Sequence, residues 1–300
     1  MKQFFIQLNA AIFLLSVFSF HCLGADKYTL ELNLEKGKTY KHHGITDMKM
    51  TMNAMGQEID MDMKSEICTH FEVTGKNDDV YDIKATYQKI KVNMGAPMPF
   101  NVDSEAPEQA SDKNAGDLIK SFTEIHFDIQ LNKQGKVLSV IGAEKLEEKL
   151  NSTANEQFKQ MFGQQFSEKA VQATIEQMLT YFPGNSVDLN ESWDVARNIN
   201  SAGFDIIVKM KFTLKEVKDD VAQIDCTATL TTPEGGAVLQ IQGMDANVSM
   251  KGEQAGTFQV DMKTGWIVRS EMIQKSTQDI DIMGQAMQQK MEVKVTVTAD

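Results

Sequence analysis

The sequence is poor in cysteine and in positive charge, and it has no long hydrophobic run. Its 300 residues include 3 cysteines, and 42 acids outnumber 30 lysines and arginines, for a formal net charge of -12. An acidic chain without a basic cluster is poorly suited to bind nucleic acid or anionic lipid headgroups, so we expect neither as a partner. The main apolar stretch, residues 10–20, is well short of the roughly 20 residues that cross a bilayer, and no transmembrane segment is expected.

That short stretch predicts a secretory signal peptide. It follows Lys2 and precedes small side chains at residues 24–25, which suit a signal peptidase. We therefore expect residues 1–25 to be removed and the protein to be secreted or periplasmic. Lipid attachment at Cys22 is the alternative, but a phenylalanine and a histidine precede this cysteine, where such sites favour small residues.

The two remaining cysteines are predicted to stay unpaired. An oxidising compartment permits a disulfide, but the apolar positions around Cys68 are odd-numbered and those around Cys226 are even-numbered. Because successive strand residues alternate between two faces, Cys68 is expected on the polar face and Cys226 on the apolar one. A β-bulge in either strand would reverse one face and leave a bridge open.

Two stretches share one hydrophobic rhythm. Residues 127–137 and residues 258–267 each read as a period-2 strand, a glycine turn and a returning strand, with Gly135 and Gly265 in the turns. This pattern predicts two antiparallel hairpins, each with one buried face. In a further strand, the apolar positions change parity near Gln88, which predicts a β-bulge.

The order of the elements predicts a mostly β protein. We expect a first β half at residues 26–142, a helical connector at residues 143–186 and a second, related β half at residues 187–300. Long antiparallel strands around one helical insertion favour a curved antiparallel sheet or open barrel, with the helical connector packed against it. No linker rich in proline, glycine or serine separates the halves, so we expect a single compact unit.

Three segments make this prediction more specific. The first strand is predicted at residues 28–33. Residues 95–118 hold three of the five prolines and show no periodicity, so they are predicted to form a long excursion or flap. In the connector, Ser167 is expected to cap a helix that Pro183 ends.

The sequence contains no catalytic signature. It has no Gly-x-Ser-x-Gly elbow, no His-Glu-x-x-His or Cys-x-x-Cys motif and no phosphate-binding glycine loop. We therefore predict a protein that is not an enzyme and has no catalytic residues, metal site or cofactor. A hydrolase that uses an acid pair is an alternative, since Asp and Glu are abundant and no pair stands out.

Methionines form the strongest candidate binding site. Met48, Met50 and Met52 share one face of a predicted strand, and Met61 and Met63 share one face of the next, so a hairpin places five thioethers on one patch. Flexible methionines fill gaps in a core, and they also form adaptable surfaces for apolar ligands. We predict ligand binding at these five residues, with core packing and a soft Cu(I) site as the alternatives. The two histidines before the run point to opposite faces of a strand.

Three features together resemble known proteins. They are the signal peptide, the segment Asn190-Glu191-Ser192-Trp193 after a loop with Pro183, and the two units of strand, glycine turn and strand. On these features, most of the mature chain resembles uncharacterised secreted or periplasmic bacterial proteins that form a family of unknown function. More loosely, it is similar to the lipoprotein-carrier superfold of LolA and LolB. That second resemblance implies a concave apolar site for a lipid-like ligand.

These observations lead to one functional prediction. We expect a non-enzymatic, secreted or periplasmic binding module for an apolar, lipid-like ligand or for a component of the cell envelope. A structural or interaction protein of the envelope without a small ligand is the alternative from a different class. The sequence does not indicate an oligomeric state.

Overall fold

The computed structural model describes residues 27–54, 56–97, 99–153, 158–159, 166, 168–179, 181–201, 204–241, 244–282 and 284–299. The predicted signal peptide, the alternative lipid site at Cys22 and the predicted helix cap Ser167 lie outside the described residues.

One large antiparallel sheet contains the thirteen strands of the described residues. In chain order the thirteen strands are β1 Thr39–Ala54, β2 Gln57–Asn77, β3 Val80–Met94, β4 Phe100–Asp103, β5 His126–Asn132, β6 Val137–Ile141, β7 Ser192–Ser201, β8 Phe204–Lys218, β9 Val221–Thr231, β10 Ala237–Ile241, β11 Met244–Asp261, β12 Ile267–Ile282 and β13 Gln285–Thr298. Across the sheet they follow the order β6-β5-β3-β2-β1-β13-β12-β11-β9-β8-β7, while β4 pairs with β3 and β10 pairs with β11. Within the described chain the end strands β6 and β7 do not pair with each other, so the sheet is open. The prediction of a mostly β, antiparallel fold is confirmed.

The first and last strands meet in the middle of the sheet. β1 pairs with β2 on one side and with β13 on the other. From this seam β2, β3, β5 and β6 follow one way, and β12, β11, β9, β8 and β7 follow the other way. Most neighbours in the sheet are therefore also neighbours in the chain, as short antiparallel connections require. The predicted boundaries of two related halves stay a prediction.

The helices lie between β3 and β7 in the chain. Within the described residues they are α1 Lys113–Phe122, α2 Glu144–Thr153 and α3 Glu168–Met178, and a short 3-10 helix spans Pro107–Gln109. None of the helices in the described residues has the length and apolar character of a membrane span. The predicted excursion at residues 95–118 is wrong in part, because it contains β4 and the start of α1. The carboxylate of Asp112 caps α1 by accepting a hydrogen bond from the amide of Ala115 at 2.8 Å.

Both predicted hairpins are confirmed. β5 and β6 pair on either side of Gly135, and β11 and β12 pair on either side of Gly265. The two glycines have φ values of 74° and 70°, which residues with a Cβ rarely adopt. A polar side chain stabilises each turn: Asn132 Oδ1 accepts hydrogen bonds from two turn amides, and Asp261 Oδ1 does the same.

The predicted bulge in β3 is also confirmed. Lys89 pairs with Cys68 and Tyr87 pairs with Thr69, which leaves Gln88 as the extra residue. One extra residue resets the alternation of faces. This is why the apolar positions of β3 change parity at that point.

The helical segment packs on one face of the sheet, which we call the helix-side face; the opposite face is the outer face. Two residues of β7 connect the helix-side face to this segment. The indole of Trp193 donates to the carbonyl of Tyr181 at 3.1 Å, and the guanidinium of Arg197 donates to the carbonyl of Glu176 at 2.9 Å. The buried Tyr181 hydroxyl in turn donates to the carbonyl of Gly265 at 2.6 Å. These contacts surround an aromatic core on the helix-side face, formed by Phe71, Phe212, Phe258 and Trp266.

The segment before β1 packs into the same core. Three alternate leucines of this segment are buried: Leu30, Leu32 and Leu34. The predicted strand at residues 28–33 is wrong, because the segment makes only an isolated bridge between Tyr28 and Val187 in the described residues. Its other backbone bonds go to turns, as between the amide of Leu32 and the carbonyl of Lys133 at 2.7 Å.

The two cysteines lie on opposite faces, as their strand parities predict. Cys226 is buried on the helix-side face of β9, beside Ile224 and Ala228 at alternate positions. Cys68 is half-buried and points to the outer face of β2. Both thiols are unpaired.

Candidate ligand-binding face

The strand register brings the five predicted methionines together. β1 and β2 pair in one continuous register from Thr39 to Ala54. All five methionines are half-buried, so they lie neither in a sealed core nor in full solvent. Their role as ligand residues stays a prediction. The register makes these cross-strand pairs: Met48 with Met63, Met50 with Met61, and Met52 with Ile59.

These methionines lie on the helix-side face. Alternate residues of a strand share a face, and the even-numbered residues of β1 include Tyr40, whose ring centroid is 5.2 Å from that of the buried Trp266. The odd-numbered residues of β2 include the buried Phe71, 5.4 Å from the same ring. Met48 and Met63 therefore continue the face that the aromatic core occupies nearer the other end of the hairpin.

Beyond the core, three rows of cross-strand partners follow this face over neighbouring strands. We call them the uncharged rows, because no member is ionisable. The first row is Met63, Met48, Val293, Gln274, Gln254, Ala228 and Met210; the second is Met61, Met50, Met291, Ser276, Gly252, Leu230 and Val208; the third is Ile59, Met52, Gln289, Gln278 and Met250.

The charged residues of the same strand segments all take the outer face. They alternate with the uncharged rows along each strand, and some form ion pairs there, such as Lys275 with Glu292 at 3.4 Å and Lys64 with Asp47 at 3.6 Å. Burying a charge without a partner is costly. On these strand segments the helix-side face is therefore suited to an uncharged, apolar ligand, and the second row ends beside Arg197 of β7, whose guanidinium donates to the carbonyl of Glu176. The charged residues within or next to these segments are Asp47, Lys49, Glu58, Asp60, Asp62, Lys64, Lys209, Lys211, Lys251, Glu253, Lys275, Asp279, Lys290, Glu292 and Lys294.

His42 is the ionisable residue nearest to the uncharged rows on the helix-side face of β1. Burial, and to a smaller extent the charge of His43, lowers the pKa of His42 to about 4. The imidazole is therefore neutral at pH 7. His42 precedes Met48 by six residues, a separation of about 20 Å at roughly 3.3 Å per residue, and His43 faces the other side. Neither histidine can join a copper site at the methionines.

Sequence analysis missed two methionines that are cross-strand partners of the predicted five. Met94 pairs with Met63, and Met291 pairs with Met50. The amide of Gln289 also contacts Met50, with Nε2 2.6 Å from Sδ. The alternation of apolar residues near the end of the chain predicts a strand with one apolar face, but only the register shows that this strand joins β1.

Residues 78–267 match a family described as a family of unknown function, DUF6263. The chain belongs to this family. No curated protein matches the chain. The matched residues run from the turn before β3 to the first residue of β12. β1, β2 and β13, with the five predicted methionines, therefore lie outside the region that defines membership.

Several solved structures align with the chain at low similarity. An outer membrane channel, COG4313, from Pseudomonas putida F1 is 6% identical, with 89% of this chain and 97% of that chain covered and a TM-score of 0.24. A domain from Vibrio parahaemolyticus assigned to outer membrane lipoprotein sorting is 7% identical, with coverages of 84% and 83% and a TM-score of 0.15. A DUF1329 family protein from Desulfovibrio piger ATCC 29098 is 10% identical, with coverages of 86% and 85% and a TM-score of 0.17. Scores this low support no conclusion about a shared fold or function.

Proposed function

We propose that this protein binds the acyl chain of a lipid-like ligand on the uncharged rows of its helix-side face, without catalysing a reaction, in a secreted or periplasmic location. One observation supports the proposal above all. The face that forms the aromatic core continues onto neighbouring strands as half-buried methionine, valine and uncharged polar side chains, while every charge of those strand segments points away.

The composition of the rows suits an apolar chain of variable shape. Thioether side chains are flexible and polarizable, so methionine surfaces adapt to different apolar partners. Each methylene group that an acyl chain buries contributes about 0.8 kcal/mol. A contact of about eight methylenes therefore contributes roughly 6 kcal/mol, before the cost of immobilising the ligand.

The polar members of the rows suit the linkage of such a ligand. Gln254, Gln274 and Gln278 follow the methionines across β12 and β11. Their side-chain amides can donate and accept hydrogen bonds without bringing a charge. An ester or amide next to an acyl chain matches this order of apolar and polar groups.

The test is binding of an uncharged apolar fluorophore, such as N-phenylnaphthylamine, together with native mass spectrometry for a co-purifying lipid. We expect the parent protein to bind the fluorophore saturably. Met50→Asp should weaken binding roughly tenfold or more, because it places a charge among apolar groups. The triple variant Met48→Leu, Met50→Leu, Met52→Leu should fold and still bind, since swaps between Leu and Met usually cost less than about 1.5 kcal/mol each.

Thr277→Asp is the matched control. Thr277 lies on the outer face of β12 between Lys251 and Lys290, so the same new charge is accommodated there, and binding should not change. Circular dichroism tests whether each variant is folded. If Met50→Asp unfolds, Met50→Gln, which adds a polar group without a charge, replaces it. Absence of saturable binding by the parent, or equal binding by folded Met50→Asp and Thr277→Asp, would contradict the proposal and favour a structural role. Cu(I) binding by the parent that the leucine variant loses would instead identify a metal site.

A further inference from the structure

A second cluster lies on the outer face of β1, β2 and β3, away from the uncharged rows. His43 of β1 pairs directly with Cys68 of β2, and Glu66 is two residues before Cys68 on the same face. Across β2, Lys89 of β3 is the register partner of Cys68. The continuous register of β1 with β2 therefore places His43, Glu66 and Cys68 side by side, and Lys89 joins them from β3 directly after the bulge at Gln88.

The three donor atoms of His43, Glu66 and Cys68 are already close. One ligand atom from each residue lies within 4.8 Å of the other two, and His43 Nε2 is 3.1 Å from Glu66 Oε1. A tetrahedral zinc ion, with bonds of about 2.0–2.3 Å, holds its ligand atoms roughly 3.2–3.8 Å apart. Small side-chain rotations are enough to close the cluster around an ion. All three residues are half-buried, which leaves the site reachable from solvent.

We propose that His43, Glu66 and Cys68 form a Zn²⁺ site with a fourth position open to water or another ligand. Thiolate, imidazole and carboxylate are the donors that zinc uses in proteins, and three protein ligands with one open position is a familiar arrangement. A hard cation such as Mg²⁺ or Ca²⁺ would not select a thiol, and a soft Cu(I) ion would favour more than one sulfur.

An ion-pair network shares part of this cluster but does not account for all of it. Lys89 Nζ lies 3.0 Å from Glu66 and 3.1 Å from Glu105. Those pairs occupy the carboxylates, and they do not use the thiol of Cys68. Burial alone would raise the pKa of Glu66, but the hydrogen bonds and charges of Lys89 and His43 outweigh it, so the pKa is lowered. The positive charge of Lys89 next to the site weakens cation binding.

Zinc would bind the thiolate of Cys68, whereas the metal-free protein carries the thiol. Burial, with the added charge of Glu66, raises the pKa of Cys68, whereas Lys89 acts in the opposite direction. Zinc must therefore displace a proton. Other charged groups near the cluster are Glu105 after β4, Lys91, which is the register partner of Glu66 and pairs with Asp103 at 2.8 Å, and Lys41, the register partner of His70.

The test uses tag-free protein with zinc and cobalt as probes. We expect Zn²⁺ to bind at one equivalent per chain by isothermal titration, and Co²⁺ to give a thiolate-to-cobalt charge-transfer band. Cys68→Ser should abolish that band, and Cys68→Ser and His43→Asn should each weaken zinc binding by roughly tenfold or more, since loss even of an outer partner costs 10–100-fold. Lys89→Met should strengthen zinc binding, which a purely structural ion pair does not predict.

His70→Asn is the matched control. His70 lies on the same strand and the same face as Cys68, two residues further along, and it is not a member of the cluster. Its replacement should leave zinc affinity and the cobalt spectrum unchanged. Thermal unfolding tests whether each variant is folded, and Zn²⁺ should raise the midpoint of the parent by more than that of Cys68→Ser at the same zinc concentration. Absent or substoichiometric zinc binding, a cobalt spectrum without the charge-transfer band, or equal losses in His70→Asn and His43→Asn would overturn the proposal.

Discussion

At the scale of single residues, alternation along the strands decides which side chains meet water and which meet the core. His42 and His43 are adjacent in the chain and differ in environment for this reason alone. His42 faces the core and is neutral, with a pKa lowered to about 4 by burial. His43 faces outward and contacts Glu66. Of these two adjacent residues, His42 is therefore a buried, neutral imidazole, and His43 is a candidate metal ligand.

The first prediction concerns the pH dependence of stability at His42. Its pKa is lower in the folded protein than the ordinary value of about 6.5, so the unfolded chain binds more protons between these values. The stabilisation that comes from the neutral His42 is fully present above about pH 6.5 and is lost as the pH falls toward 4. Its full size is about 3 kcal/mol at most. Urea unfolding at pH 7 and pH 4.5 should show that His42→Gln loses less stability on acidification than the parent.

His126→Gln is the control for that measurement, because His126 is exposed at the start of β5. The free energy of unfolding of His126→Gln should fall on acidification by as much as that of the parent. The same acid-induced loss in His42→Gln as in the parent would show that His42 is not the group responsible.

At the scale of elements, the hairpin turns hold distant parts of the chain in place. Gly265 lies between β11 and β12, and its carbonyl accepts the hydrogen bond from Tyr181. A Cβ at Gly265 would lie 2.1 Å from the carbonyl oxygen of Glu31. Gly135, in the turn between β5 and β6, is equally crowded, since a Cβ there would lie 2.4 Å from the carbonyl oxygen of Leu179. Each turn is therefore a packing contact between the sheet and another segment.

The second prediction follows from that crowding. Gly265→Ala should lower the free energy of unfolding by about 3 kcal/mol or more, because a left-handed backbone costs about 1–2 kcal/mol for a residue with a Cβ and the clash with Glu31 adds to it. Gly37→Ala is the matched control. Gly37 has φ 82° with open space around the added Cβ, so only the backbone cost applies. Equal losses in urea unfolding of the two variants would show that the contact at Gly265 is not rigid.

At the scale of the whole molecule, one sheet of thirteen strands has two unlike faces. The helix-side face forms the aromatic core and then the uncharged rows, and the outer face holds the charges and the proposed zinc cluster. One cysteine lies on each face. Burial raises the pKa of Cys226 to about 12, so its thiolate is scarce in the folded state, whereas Cys68 is reachable from the outer face.

The third prediction uses the thiols to report on cooperative opening. With a chelator present, native protein should react with iodoacetamide first at Cys68 and far more slowly at Cys226, because the second thiol requires opening of the sheet core. In denaturant without a reductant both should react. Peptide mass spectrometry after timed quenching measures the two rates. Comparable native rates would place Cys226 near solvent, and protection of both thiols in denaturant that reduction removes would show a disulfide.

The sequence by itself determined the features that depend on neighbours in the chain. The period-2 patterns predict the two glycine hairpins, the bulge at Gln88 and the opposite faces of Cys68 and Cys226, because each depends on alternation within one strand or on one turn. The methionine hairpin could also be predicted from the local sequence, since β1 and β2 are joined by a short turn. The segment 28–33 has the same alternation without a strand partner, so its pattern alone predicts a strand that does not form.

Only the tertiary structure decided which distant segments meet. The pairing of β1 with β13 places Met291 beside Met50, although the two residues are near opposite ends of the chain. The cluster of His43, Glu66 and Cys68 depends on one register among several that alternation allows, and a shift of one residue would send these side chains to the other face. Strand partners and register are set by the total burial of apolar side chains over the whole sheet, which no local stretch of the sequence contains.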